Sequence, residues 1–328
     1  MPTDTSPAAP NFAGFWRRAG AFIVDVLILG LLGLSLHFWA GNWLVRLDAW
    51  GPLLGFALAL AYFGLLNSRL GQGQTLGKRL LAIRVVDGAG QFLTPSRALL
   101  RFVPLGLPWF LNSLQGYLGW LLWPWNALLT LLTLGLGSAL LYLLIFNRST
   151  RRSLHDLLVG SQVLRATGNS VAPVTPLWAG HLAVCAVLAL LSLGLPSLLE
   201  RALSGPALRD VRAIQQRLEA EPDVARAAVL IGTRRHLAAQ SSPHDFSFLS
   251  LAVHSRHTDL ANPRRAQHLA QAALAVSPGL RSVNQVQVEL IYGYNIGIFS
   301  SHQSVSYTRT PAVWLAPAVP AALPTAQP

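Results

Sequence analysis

The stretch FWRRAGAFIVDVLILGLLGLSL, Phe15 to Leu36, decides the fold. Arg17 and Arg18 run straight into an apolar stretch that carries one acid, Asp25. Such a run reads as a membrane-spanning helix, and its basic flank marks the cytoplasmic end. An ionisable group inside a span is costly and faces either a partner or a wet cavity, so Asp25 needs an answering group. Arg18 is the nearest candidate, because two helical turns place it roughly 10 Å from Asp25 along the axis, on the same face.

Composition extends this reading to much of the chain. Hydrophobic residues make up 52% and charged residues 12% of the 328 residues, and the mean hydropathy is +0.43. A soluble globular domain has a different balance. Spans are expected at about Ala19–Ala40 and Pro52–Asn67, twice within the charge-free run Phe102–Phe146, and at about Leu177–Leu199. The third contains Pro104, Pro108, Asn112 and Gln115, so it should be kinked or partly inserted. Trp120 to Trp125 supplies an interfacial turn before the fourth.

The net charge of +12 does not point to nucleic acid. Before residue 200 there are thirteen basic and five acidic side chains, and the basic ones lie beside apolar runs, as cytoplasmic loops facing anionic lipid do. No basic face with interleaved aromatics is present. Five spans put twelve of those thirteen basic residues on one side, with Arg46 alone opposite. The N-terminus is then cytoplasmic and everything after Glu200 extracytoplasmic. Cys185, a single cysteine, supports neither an internal disulfide nor a thiolate metal site.

The expected organisation is therefore an α-helical polytopic membrane protein of about five spans with a C-terminal extracytoplasmic α+β domain. Residues 1–11 read as a disordered leader, 12–165 as the membrane domain, and 166–199 as a linker and fifth span. Residues 200–310 form the soluble domain, with helices at Pro206–Glu219 and Pro263–Val276. Its strands are expected at Val224–Ile231, Phe246–His254 and Val283–Ile291, with a fourth over Ile296–Tyr307. The Pro/Ala-rich stretch 311–328 reads as a disordered tail.

Three ordered motifs give the membrane domain a family likeness: Arg18 and Asp25 in the first span, the loop Gly73–Asp87 (GQTLGKRLLAIRVVD), and His155–Gly160 (HDLLVG) after the fourth span. Together they resemble the RDD family of membrane proteins, over about Phe12 to Arg165. The family is named for one Arg and two Asp, matched here by Arg18, Asp25 and Asp156. The resemblance implies a bacterial inner-membrane module without an assigned reaction, with ion transport proposed for some members. The outer domain resembles BON-type envelope modules in element order alone.

The Arg18, Asp25 and Asp156 set reads in two ways. The two carboxylates could offer oxygens to a proton or small cation, with Arg18 neutralising the empty site. Alternatively Arg18 bridges both acids and pins the first helix to the segment after the fourth. His155 could relay a proton to Asp156, or simply hydrogen-bond at the interface. The Gly73–Arg79 loop lacks the spacing and the Ser/Thr of a phosphate-binding P-loop. Lys78, Arg79 and Arg84 read instead as lipid-headgroup contacts. His254 and His257 sit at a strand end without the ligands of a zinc site. No catalytic constellation and no cofactor motif appear, so the chain does not read as an enzyme. Two functions stay open: transport of a proton or small cation, and an envelope scaffold or sensor whose spans anchor an outer domain that contacts a protein or lipid.

Overall fold

The computed structural model describes residues 11–118, 124–167, 176–202, 206–236 and 244–317. Residues 1–10, the first four residues of the expected Trp120–Trp125 turn, part of the expected linker and most of the 311–328 tail lie outside these residues. The chain divides into two compact units: Met1–Leu199 together with Tyr294–Ser300, and Glu200–Gly293 together with Ser301–Pro328.

The first unit begins with α1 (Phe15–Arg46), α2 (Gly51–Leu66) and the short α3 (Leu76–Leu80), followed by strand β1 (Ile83–Asp87). In α1 the buried residues Ala21, Asp25, Leu29 and Gly33 recur every fourth position, so Asp25 lies on the packed stripe of an otherwise apolar helix. Phe22, Ile23, Val26, Leu27 and Leu31 cover the other side and are exposed. Next comes α4 (Pro95–Leu118), one helix through both Pro104 and Pro108. Helices α5 (Trp125–Thr130) and α6 (Leu136–Phe146) run together through a π-helical turn, Leu131–Gly135. Then follow α7 (Leu154–Val159), β2 (Ser161–Arg165) and α8 (Ala179–Ala202).

Four helical stretches among the described residues are long and apolar enough to cross a membrane: Phe15–Arg46, Asp48–Leu66, Trp125–Phe146 and Ala179–Leu199. The architecture is thus multi-pass. The expected third span is the one missing from this set. Helix α4 carries Arg97 and Arg101 near its start, and its polar and apolar residues divide between two faces.

Between the long helices lies a small polar-edged layer. Strands β1 and β2 pair antiparallel, with Val85 opposite Val163. Ile83, Val85, Val159 and Val163 pack with Ala13, Ala21, Leu93 and Ala98. This layer ties the segment after α2 to the segment after α6, and it places α3 and α7 next to the first turns of α1 and α4.

The second unit contains α9 (Pro206–Glu219), β3 (Val224–His236), β4 (His244–Ser255), α10 (Pro263–Val276), α11 (Pro311–Leu315) and the strands β5 (Gln285–Asn295) and β6 (Ser300–Arg309), apart from the joining segment Tyr294–Ser300 that counts with the first unit. Its sheet has the order β3-β4-β5-β6. Strands β3 and β4 pair antiparallel, while β4 and β5 pair parallel across the α10 crossover, with Leu251 opposite Val288. Inward residues of alternate sheet positions, such as Leu249, Leu251, Val286 and Val288, meet Ile214 and Leu218 of α9 and Leu269 and Leu274 of α10. The expected disordered tail from residue 311 is corrected here. Residues Pro311–Leu315 form a helix, and Trp314 is completely buried with its indole donating to the Val286 carbonyl at 3.0 Å.

Candidate functional site

The site forms where α1, α2, α3, α4, α7 and the start of β2 meet. Asp156 is three residues into α7, after Ser153, whose backbone N–H reaches its Oδ2 at 3.4 Å. The helix start thus presents the acid inward, fully buried. Arg18 Nη2 donates to Oδ2 at 2.6 Å. Arg101 donates to Oδ1 through Nη2 at 2.6 Å and Nε at 3.0 Å, and the Ser161 hydroxyl adds a donor at 2.9 Å. Two arginines therefore clamp one carboxylate. Burial opposes its ionisation, and Arg101 foremost overcomes that, holding the carboxyl well below the usual carboxylate range. Arg97, one turn before Arg101 on the same face of α4, donates to the Val159 carbonyl at the other end of α7.

Asp25 is also buried, but Arg18 is not among its hydrogen-bond partners. The Tyr62 hydroxyl donates to Oδ1 at 2.8 Å, the Gly77 N–H to Oδ1 at 2.8 Å, and the Thr75 hydroxyl to Oδ2 at 2.6 Å. Thr75 caps α3, so the start of that helix is turned onto the acid. Gly77 allows the approach: a Cβ there would stand 2.1 Å from the Ala21 carbonyl oxygen. The structure thus brings Arg18 and Asp156 together and gives Asp25 its own set of neutral donors.

Lys78 follows Gly77 and turns inward, its ammonium donating to Asn67 Oδ1 at the end of α2. Burial, and secondarily Arg101, push its amine down to about 7, while Asp25 and Asp156 oppose that shift. The expected headgroup contact therefore does not describe Lys78. Arg79 is exposed, and Arg84 is partly buried on β1.

His155 is buried, with Nε2 3.6 Å from Asp156 Oδ2 and Nδ1 lacking a hydrogen-bond partner among the described residues. Burial pushes its imidazole down to about 3, against the opposing pull of Asp156 and with Arg101, Arg18 and Lys78 adding to the shift. An imidazole held neutral in this way argues against a proton relay near neutral pH. In the second unit His254 meets Arg226 Nη2 at 2.9 Å, and His257 meets Asp223 at 3.0 Å, an acidic partner that the local sequence does not suggest. Among the described residues there is no group of three His, Cys, Asp or Glu placed to hold a metal ion.

Sequence reasoning missed Arg101, Tyr62, Thr75 and Ser161. The signal for Arg101 was its i, i+4 spacing from Arg97 at the start of α4; for Thr75 it was a cap position just before Gly77 and Lys78. Tyr62 and Ser161 carry no charge pattern that would single them out.

Both buried acids, each held by groups from a different part of the chain, lie within a stretch that matches a known family. Residues 12–160 match the RDD family. The RDD-matching region thus contains α1 to α7 and every residue of the site up to Asp156. "Uncharacterized protein YckC" of Bacillus subtilis (strain 168) is 27% identical over 155 residues, which span 47% of this chain and 85% of that protein. No solved structure matches. The match stops before the second unit, and nothing found supports the BON-type resemblance there.

Proposed function

We propose that this protein is a membrane scaffold, in which the RDD-matching region anchors a C-terminal α+β domain for contact with an envelope protein or with lipid. One observation carries this reading: both carboxylates are supplied with donors by the protein itself. A carboxylate accepts about four hydrogen bonds. Asp156 receives two arginines, a hydroxyl and an N–H, and Asp25 receives two hydroxyls and an N–H. Little remains for a cation to coordinate, whereas these bonds form a clasp that ties α1 to α2 and α3 through Asp25, and α1 to α4, α7 and β2 through Asp156. Arg79, exposed beside the helix bundle, suits contact with lipid headgroups.

The sidedness in this proposal follows the basic residues: N-terminus cytoplasmic, C-terminal domain extracytoplasmic, in a bacterial inner membrane. It requires α4 to cross as a fifth span. Side-specific labelling of a cysteine placed at Ser306 in intact cells checks it.

Reconstitution tests the function. Vesicles containing the protein should carry no proton or cation flux above empty vesicles, and Asp25→Asn and Asp156→Asn should lower the yield of folded protein. A flux that Asp25→Asn abolishes at normal folded yield would refute the scaffold.

Lys78 favours the second reading, proton transport. Its amine, pushed down to about 7, stands in the field of both acids and both arginines, so a proton could be gained and lost there near neutral pH. On that reading Lys78→Met abolishes a proton flux while leaving folded yield unchanged.

A further inference from the structure

The turn Ile296–Phe299 joins β5 to β6, and its surroundings resemble a built receptor more than incidental packing. The segment Tyr294–Ser300 belongs to the first unit, although it lies more than a hundred residues after the end of the family match. Helices α1 and α2 are cut back where its backbone runs. A Cβ at Gly55 would stand 1.6 Å from the Ile296 carbonyl oxygen, one at Gly51 2.5 Å from the Asn295 oxygen, and one at Gly33 2.4 Å from the Phe299 Cβ. These clashes fall on backbone and on Cβ, which cannot swing away, so only glycine permits this approach.

Specific contacts accompany the space. The Trp109 indole on α4 donates to the Gly297 carbonyl at 2.8 Å, and Phe110 covers Gly297. Gly297 itself takes a left-handed conformation at φ +78°, with its N–H bonded to Asn295 Oδ1 at 2.7 Å. The turn closes through Ile296 N–H to the Phe299 carbonyl at 3.0 Å. Ile296 is fully buried and packs in one cluster with Leu44 and Tyr294, while the Tyr294 hydroxyl meets His37 Nδ1 at 3.0 Å.

We propose that the glycine-floored groove formed by α1, α2 and α4 is a binding site for a tight extended turn, and that the chain supplies the ligand itself through Asn295–Phe299. The groove residues Gly33, Gly51, Gly55, Trp109 and Phe110 all lie inside the region matching the RDD family, and the occupant lies outside it. A helix set that matches a family and is shaped for a segment foreign to that match has the properties of a receptor filled in cis. The fit combines close backbone approach, one indole-to-carbonyl bond and pockets for apolar side chains, so it selects a glycine-centred turn flanked by branched apolar residues.

The test uses the full chain in detergent with Cys185→Ser and a reporter cysteine, Leu54→Cys, in the groove. Reaction with a membrane-permeable maleimide should be slow in this background and fast once Ile296→Asp ejects the turn. Adding a cyclic peptide covering Tyr292–His302 should restore slow labelling to the Ile296→Asp protein, but not when Gly55→Val also fills the groove floor. Should Ile296→Asp not fold, Gly297→Val, which puts a β-branched residue at φ +78° with its Cβ 2.6 Å from the Phe110 ring, serves in its place with the same expectations. Labelling that is already fast in the background, or that the peptide leaves fast, overturns the proposal. Flux measurements do not enter, so this result stands or falls separately from the scaffold reading.

Discussion

Replacing Asp156 by Asn keeps the shape of the side chain and removes the one negative charge between two buried guanidinium groups. Arg18 and Arg101 have side chains only 10% and 6% exposed, so both guanidinium groups would be left with little solvent to replace the lost countercharge. Removing one partner of a buried ion pair costs about 3–5 kcal/mol, because the remaining charge is left uncompensated. Here two charges are left, so Asp156→Asn should fall at the upper end of that range. The triple variant Arg18→Met, Arg101→Met, Asp156→Leu removes the charges together and should recover most of the loss. Thermal unfolding in detergent, followed by size exclusion, measures both. The pH dependence has a definite sign. The folded carboxyl is held well below its usual range, so its stabilisation is complete above the unfolded value and is lost as pH falls from about 4 toward the folded value. The Asp156→Asn protein should lack this acid limb. An Asp156→Asn protein as stable as the parent, or a triple variant worse than the single one, would refute the clasp.

Three further outcomes are expected. His155 is neutral in the fold down to about pH 3, while the unfolded chain takes up its proton near 6.5, so stability should decline as pH drops across that window; His155→Gln should flatten this part of a pH titration of the melting temperature. Lys78 acts in the same sense at higher pH. Between its folded value of about 7 and its ordinary 10.5 the unfolded state holds the extra proton, so stability should rise with pH there, and Lys78→Met should abolish the rise. Trp314→Ala should cost the C-terminal unit about 3–5 kcal/mol, measurable as faster hydrogen exchange in β5 and α10.

The long helices and most α+β elements are legible because periodicity and charge-free length are properties of the chain itself. Pro263–Val276 and Pro206–Glu219 fall where their spacing and starting prolines put them. The partners of buried acids are less legible. Helical spacing points Arg18 toward Asp25, yet a span acid can be satisfied by neutral groups, and a backbone N–H such as that of Gly77 leaves no mark in a list of charges. Arg101 reads as one more basic residue in a cytoplasmic loop until α4 and α7 are seen side by side. Strand β2 (SQVLR) is too short to announce itself and exists because β1 pairs with it. Trp314 follows the same logic: Pro and Ala around it suggest a tail, and a single large side chain reverses that by filling a core.

The two acids also differ in when they can be satisfied during synthesis. Every donor to Asp25 has emerged by Gly77, so the first two helices can enter the membrane with that carboxylate already covered. Arg18 must wait for Asp156, 138 residues later. At about 5–20 residues per second that is a delay on the order of ten seconds, during which a cation at the mouth of the first helix is unpaired. The clasp therefore cannot close before α7 has been made, and a chain stalled before that point would carry the unpaired arginine as a sign of unfinished assembly.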